Sequence, residues 1–291
     1  MPTVDVSKLD HIMVPMSYTK PMEGQAQVTV WPPSSGRPFE SPPRERVPVP
    51  VYDCRPIAHE LTLDIAGFQL VAHRSAFTDF YVHDRVVAEY YPESVELMKA
   101  HTGALDVFIF DHNVRNQTRS DRGEHGVRTP TDGAHNDYTM SSGPRRIREV
   151  LEDNDASHLL GHRAAIINLW RPIVGPVQDH PLAICDARTT NMADFIPTTI
   201  THYLEEDLEN PALTGEIYSF KYSDAHRWFV VSDMRPDEVV LLKCFDTAHD
   251  GRALFTGHTG FRNPQPPADA KPRESIELRT VVVFPELRDD A

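Results

Sequence analysis

Residues 249–284 read HDGRALFTGHTGFRNPQPPADAKPRESIELRTVVVF. The segment leaves a turn at Asp250-Gly251, passes through the short β-rich run RALFTG and arrives at His258. A Pro-rich loop follows, and Arg273-Glu274-Ser275 then head the long run ESIELRTVVVF, whose β-branched residues make it a strand. Arg279 stands four residues after Ser275, so both project from the same strand face. Two roles are open to Arg279: binding an anion, or a salt bridge to a neighbouring carboxylate. Two late histidines also compete here, His249 in the turn FDTAHDG and His258 beyond the returning strand.

Working upstream, the same texture recurs. DVFIFDHNV, RAAIINLW, PLAICD, EIYSFKYS, RWFVVSD and EVVLLKCFD are short β-rich runs between turn residues. Helices are predicted over 84–102, with Pro92 placed to start a second helix and Gly103 to end it, over 143–154, and around 192–208. Many short strands and few helices predict a mainly β sandwich or barrel with flanking helices. There is no internal repeat, no GxGxxG and no P-loop, which leaves a nucleotide-binding fold unsupported. Residues 1–60 hold the stretch WPPSSGRPFESPPRERVPVPVYDCRP, dense in the chain's 25 prolines. Proline removes a donor and fixes φ, so this part is expected to be an arm packed on the core, with one short strand around Val28, Val30 and Trp31. The expected organisation is therefore an arm over 1–60 and a single β domain with helical insertions over 61–291.

Composition bounds the function. A net charge of −14 argues against nucleic acid and against an anionic lipid surface, both of which want Lys and Arg in excess. Cys54, Cys185 and Cys244 are odd in number and far apart, which suits a reducing compartment. The first residues lack a basic and apolar leader, and no apolar run approaches the roughly 18 residues that span a bilayer. A soluble cytoplasmic protein is expected, and the Pro-rich arm and acidic surface allow a homodimer.

The stretch AHNDYT places His135 and Asp137 two residues apart, so on a strand both aim at one point while Asn136 turns away. Two His and one carboxylate on one face, with open positions opposite, form the site of non-haem Fe(II) oxygenases. Alone, HxD is a weak pattern in a chain with 15 His. Together with GHTGF and RES, in that order within a mainly β region, it becomes specific.

The stretches AHNDYT, NLWRPIVGPVQDHPLAICD, RWFVVSDMRPDEVVLLKCFD and GHTGF…RESIELR resemble the AsaB-like, or CmcJ/NvfI-type, family related to the cephamycin methoxylases, over about 130–285. The resemblance implies a double-stranded β-helix (jelly-roll, cupin-like) core and an Fe(II)/2-oxoglutarate-dependent dioxygenase of secondary metabolism. It implies Fe(II) on His135, Asp137 and His258, with 2-oxoglutarate anchored by Arg273, Ser275 and Arg279, and O2 as the third reactant. His258 is then the ligand and His249 an exposed turn residue. A distal carboxylate wants a fixed bidentate cation, which Arg supplies better than Lys. Within the family the likeness points to the fungal branch that acts on meroterpenoids, where a ferryl species takes a hydrogen atom and an endoperoxide can form. Hydroxylation or desaturation of another apolar natural product is the alternative, and a non-catalytic cupin-like binding protein the rival from another class.

The family's HTAF is HTGF here, so Gly260 implies a weaker side-chain contact near the iron. The loop 187–216 is the lid candidate, with Met192, Phe195 and Ile196 covering a substrate; a helix on the barrel exterior is the competing reading. Trp170 is expected as a core or pocket aromatic, and Arg171 as a structural ion-pair partner.

Overall fold

β-Branched and alternating stretches carry most of the chain into two sheets. The computed structural model describes residues 3–23 and 25–287, so the outermost ends of the two expected ranges lie outside the described residues. One sheet has nine strands: β1 (His11–Thr19), β2 (Ala26–Val30), β3 (Arg44–Asp53), β7 (His135–Asn136), β9 (Leu182–Cys185), β10 (Phe195–His202), β11 (Leu213–Phe220), β12 (Trp228–Val230) and β14 (His258–Gly260). The other has six: β4 (Phe68–Ala72), β5 (Asp106–Asn116), β6 (Val127–Arg128), β8 (His162–Pro172), β13 (Glu238–Asp246) and β15 (Glu274–Leu287). Their orders are β1-β3-β12-β9-β14-β7-β11-β10-β2 and β4-β13-β8-β15-β5-β6. The chain crosses between sheets at β7-β8-β9 and again at β12-β13-β14-β15, the path of a double-stranded β-helix. The expected mainly β jelly roll is the fold.

The two faces of the six-stranded sheet do different work. Ala165, Ile167 and Leu169 of β8 and Ile276 and Leu278 of β15 face a helical layer. That layer runs α1 (His83–Arg85), a π turn over Val86–Tyr90, then α2 (Tyr91–Thr102), which stops at Gly103 with φ 70°. Val86, Tyr90, Leu97 and Met98 bury their side chains there, each contributing roughly 1.5–3 kcal/mol of transfer free energy. A short α3 (Gln117–Asp121) follows β5, and α4 (Ser142–Asp153) covers one end of the opposite face. Its Ile147, Val150 and Leu151 pack with Ala164, Ile166, Val281 and Val283. Further along the same face of β15 come Arg279, Glu277 and Ser275, where the strand turns polar. Across the gap, Trp170, Val240 and Leu242 pack with Leu182, Ile184 and Phe229 of the larger sheet.

Three expectations need correction. The Pro-rich N-terminal part holds more than the one short strand expected, because β1 and β3 pair along their whole length and β3 continues in parallel with β12. The prolines permit this: Pro15 faces Pro48, and Pro50 shares the parity of Pro48, so the missing donors point away from the β1–β3 ladder. On its other side β3 pairs with β12 only at Val51–Asp53, beyond those prolines. The helix expected around 192–208 is a single 3-10 turn, Met192–Asp194, followed by strand β10, whose Thr and Ile residues fit a pleated sheet better than a helix. RALFTG is irregular and not a strand, its backbone tied at single points to Asp64, Lys243 and Cys185, and strand pairing begins only at His258. No helix among the described residues is long and apolar enough to cross a membrane.

Candidate metal centre

β7 is held between β11 and β14, with His135 opposite Ser219 on one side and His258 on the other. Gly133, at φ 137°, gives the entry bend that only glycine adopts without strain, and its N–H donates to Thr259 Oγ1 at 2.9 Å. The result brings ligand atoms of His135, Asp137 and His258 within 4.8 Å of one another. Asp137 Oδ1 lies 3.4 Å from His135 Nε2 and 3.9 Å from His258 Nε2. His135 Nδ1 donates to the Gly133 carbonyl at 2.8 Å, which leaves the Nε2 lone pair facing the centre. Asn136 turns the other way, as its place in the strand requires, and donates to the carbonyls of Tyr138 and Cys244. His249 is exposed in the loop after β13 and takes no part.

Electrostatics suit the same donor set. Burial alone would raise the Asp137 carboxyl, but the His135 ring, Arg279 and His258 hold it well below the usual carboxylate range. Burial, reinforced by His135, pushes His258 down to about 4. One carboxylate and two imidazole nitrogens on one side are a donor set that fits Fe(II).

The polar part of β15 faces this centre through its neighbours. Ser275 is opposite Arg115 of β5, Glu277 opposite Asn113, and Arg279 opposite Asp111. On the β8 side, Glu277 is opposite Trp170 and Arg279 opposite Asn168. Asn168 Nδ2 donates to Asp137 Oδ2 at 2.8 Å and to Glu277 Oε1 at 3.0 Å. Arg279 donates to Asp111 at 3.2 Å, and its Nε stands 3.9 Å from Asp137 Oδ2, so the ion-pair role foreseen for it is occupied. Arg273 differs. It is 4 % exposed, forms no ion pair among the described residues, and spends one N–H on the His180 carbonyl at 3.1 Å. Burial first, then Arg115, lower its guanidinium to about 9. Arg273 Nε and Ser275 Oγ are buried with no hydrogen-bond partner. A buried cation and hydroxyl left unsatisfied are what a carboxylate would satisfy.

Arg115, Asn168 and Glu277 were missed in the sequence. The signal for Arg115 was the polar alternation Asp111, Asn113, Arg115 and that for Glu277 the alternation Ser275, Glu277, Arg279, both readable only once the inward face is known, while Asn168 stands alone in an apolar run. Gly260 also needs a different account, because a Cβ there would lie 2.9 Å from His180 Nε2 and 3.2 Å from Arg273 Nη1. The glycine makes room beside Arg273 and does not merely loosen a contact at the iron ligands. Neither reading of 187–216 stands, since most of it is the β10–β11 hairpin. Phe195 packs with Tyr218, Phe220 and Phe255 in the cluster behind the sheet, and Met192 is exposed. Only Ile196, opposite Ser219, shares the His135 face. Trp170 is a core aromatic with the Arg273 guanidinium 5.6 Å from its ring, and Arg171 binds Tyr90 and the His73 and Pro236 carbonyls instead of a carboxylate.

A domain family described as oxidoreductase/YMDC permease-like matches residues 16–283. The chain is 33% identical over 252 residues to the hydroxylase/desaturase efuI of Hormonema carpetanum, covering 81% of this chain and 83% of that one. It is 30% identical over 236 residues to the Fe(II)/2-oxoglutarate-dependent dioxygenase nvfI of Aspergillus novofumigatus, covering 79% and 81%. The solved iron and alpha-ketoglutarate-dependent endoperoxidase NvfI superposes with a TM-score of 0.81 at 27% identity, covering 96% of this chain and 99% of that one. The chain belongs to this family of Fe(II)/2-oxoglutarate-dependent oxygenases. As a member it is an oxidoreductase with a jelly-roll core, as the sequence resemblance implied. Its relatives include enzymes named as hydroxylase/desaturases and as an endoperoxidase.

Proposed function

We propose that His135, Asp137 and His258 hold the iron of this oxygenase and that Arg273 with Ser275 anchors 2-oxoglutarate. The observation that carries the reading is the pairing of a converged His, Asp, His set with a buried, unsatisfied Arg273 and Ser275 nearby on the facing sheet. Iron, 2-oxoglutarate and O2 together supply the oxidant that removes a hydrogen atom from the substrate. The protein's own groups fix the geometry. Asn168 holds one oxygen of Asp137 so that the other faces the histidines, and Gly133 O fixes the His135 tautomer. Arg279 neutralises Asp137 and Asp111 and thus supports the ligand more than the co-substrate. The substrate is an apolar natural product of the meroterpenoid kind, acted on in the cytosol, where three buried free thiols stay reduced.

The test is anaerobic addition of Fe(II) and 2-oxoglutarate to the full chain. A weak visible chelate band is expected, lost in His135→Ala and in His258→Ala and kept in His249→Ala. Survival of the band in both of the first two variants would sink the assignment. Mass spectrometry of the product then separates endoperoxide formation, two oxygen atoms gained, from hydroxylation, one gained, and desaturation, none.

A further inference from the structure

Two basic residues on the triad's face have no side-chain partner, Arg128, exposed at the sheet edge, and the half-buried His202, and strand register says where they stand. Arg128 is opposite Arg115 across the parallel β5–β6 pair, and Arg115 is opposite Ser275. Directly paired residues share a face, so Arg128 extends the row Ser275–Arg115 to the edge of the six-stranded sheet. His202 ends β10 on the other sheet. Counting back by twos through Ile200 and Thr198 reaches Ile196, opposite Ser219, which is itself opposite His135. His202 therefore lies on the triad's face, and Ile196, Ile217 and Ile200 form an apolar run between them.

Burial first, then Arg128 and Arg279, keep the His202 imidazole below its usual range. Arg115, Arg273 and Arg279 each have two or more carboxylates acting on them, Asp137 and Glu277 at Arg115, Glu277, Asp179 and Asp132 at Arg273, and Asp137, Glu277 and Asp111 at Arg279. Asp111, the one carboxylate acting on Arg128, is already held by Arg279 at 3.2 Å. Neither the Arg128 nor the His202 side chain has a hydrogen bond or ion pair among the described residues.

Resting on the reading above, we propose that Arg128, seconded by His202, receives a carboxylate carried by the organic substrate, with the apolar body lying along the isoleucine run toward the triad. Among natural products of that apolar kind, the substrate is then one that carries a carboxylate at the end remote from the reacting carbon. An Arg fork matches one carboxylate bidentately, and a single charge-assisted contact suffices to orient the molecule.

Calorimetry on the full chain loaded with zinc and saturating 2-oxoglutarate tests this, using dodecanoate and its methyl ester as probes. The wild type should bind the acid about tenfold or more tighter than the ester, the worth of one charge-assisted hydrogen bond. Arg128→Ala should erase that preference, Arg128→Lys should restore part of it, and both should bind 2-oxoglutarate as the wild type does. Equal binding of acid and ester by the wild type, binding of neither, or a preference that survives in Arg128→Ala overturns the proposal. So does a loss of 2-oxoglutarate affinity in Arg128→Ala matching the loss for dodecanoate. Failure of the co-substrate assignment would look different, as absent 2-oxoglutarate binding in the wild type itself.

Discussion

At Gly260 a missing side chain lets His180 and Arg273 come together. His180 is buried, its Nε2 is 2.7 Å from Asp132 Oδ1, and its carbonyl takes an N–H of Arg273. Gly260→Ala would place a methyl group against both, and Arg273 is the partner that can yield. We expect the KM for 2-oxoglutarate to rise roughly tenfold with little change in kcat, in steady-state assays that vary the co-substrate. A fall in kcat alone would put the strain elsewhere. Asn168 is the second residue to probe, because it restrains Asp137 and Glu277 together. Asn168→Ala should weaken iron affinity by about 10–100-fold, read by competition with a chelator, whereas a structural role alone would lower the melting temperature and leave iron affinity intact. His135, Asp137 and His258 were visible in the sequence because a two-residue strand period and a fixed order of motifs constrain them. Asn168, Glu277 and Arg115 were not, because a polar residue inside a β-rich run has no assigned face until the strands are paired.

Elements differ in how much of them local chemistry decides. β8, β13 and β15 were readable because runs such as AAIINLW and VVLLKCF have one plausible fate, a buried strand. β3 was misread because its prolines argued against pairing, and only its register with β1 and its short overlap with β12 make them harmless. The β10–β11 hairpin was only half read, β11 from the run EIYSFKYS and β10 not at all, for a different reason. Its ordering comes from long-range partners, β2 on one side and β7 on the other, which no local window contains. Both errors fell on the strands that enlarge the core sheet.

Among the described residues two buried charge networks stand out, and only one serves the site. The other joins Lys243, Asp246, Arg163 and Asp64, with Lys243 Nζ 2.8 Å from Asp246 Oδ2 and Arg163 Nη2 2.7 Å from the same oxygen. Lys243 and Asp246 are fully buried, so removing the shared acid leaves charge stranded. Asp246→Ala should cost about 3–5 kcal/mol of stability, seen as a lower denaturant midpoint with an unchanged slope. Lys243→Met paired with Asp246→Leu should recover much of it, since an apolar pair has no desolvation penalty. The first network cannot be replaced so simply, because its unpaired members are the ones with a ligand to hold.

β15 belongs to both worlds. Its far half packs under α4, its near half presents Ser275, Glu277 and Arg279 with Arg273 just before its first residue, and it is laddered on both sides, to β5 and to β8. Local fraying of the anchor would have to unzip two neighbours at once. Amide hydrogens from Ser275 to Val283 should therefore exchange only through global unfolding, in protein stripped of metal and co-substrate as much as in the loaded form. The ordering entropy of the anchor is spent when the chain folds, and a co-substrate arriving later meets a site already assembled.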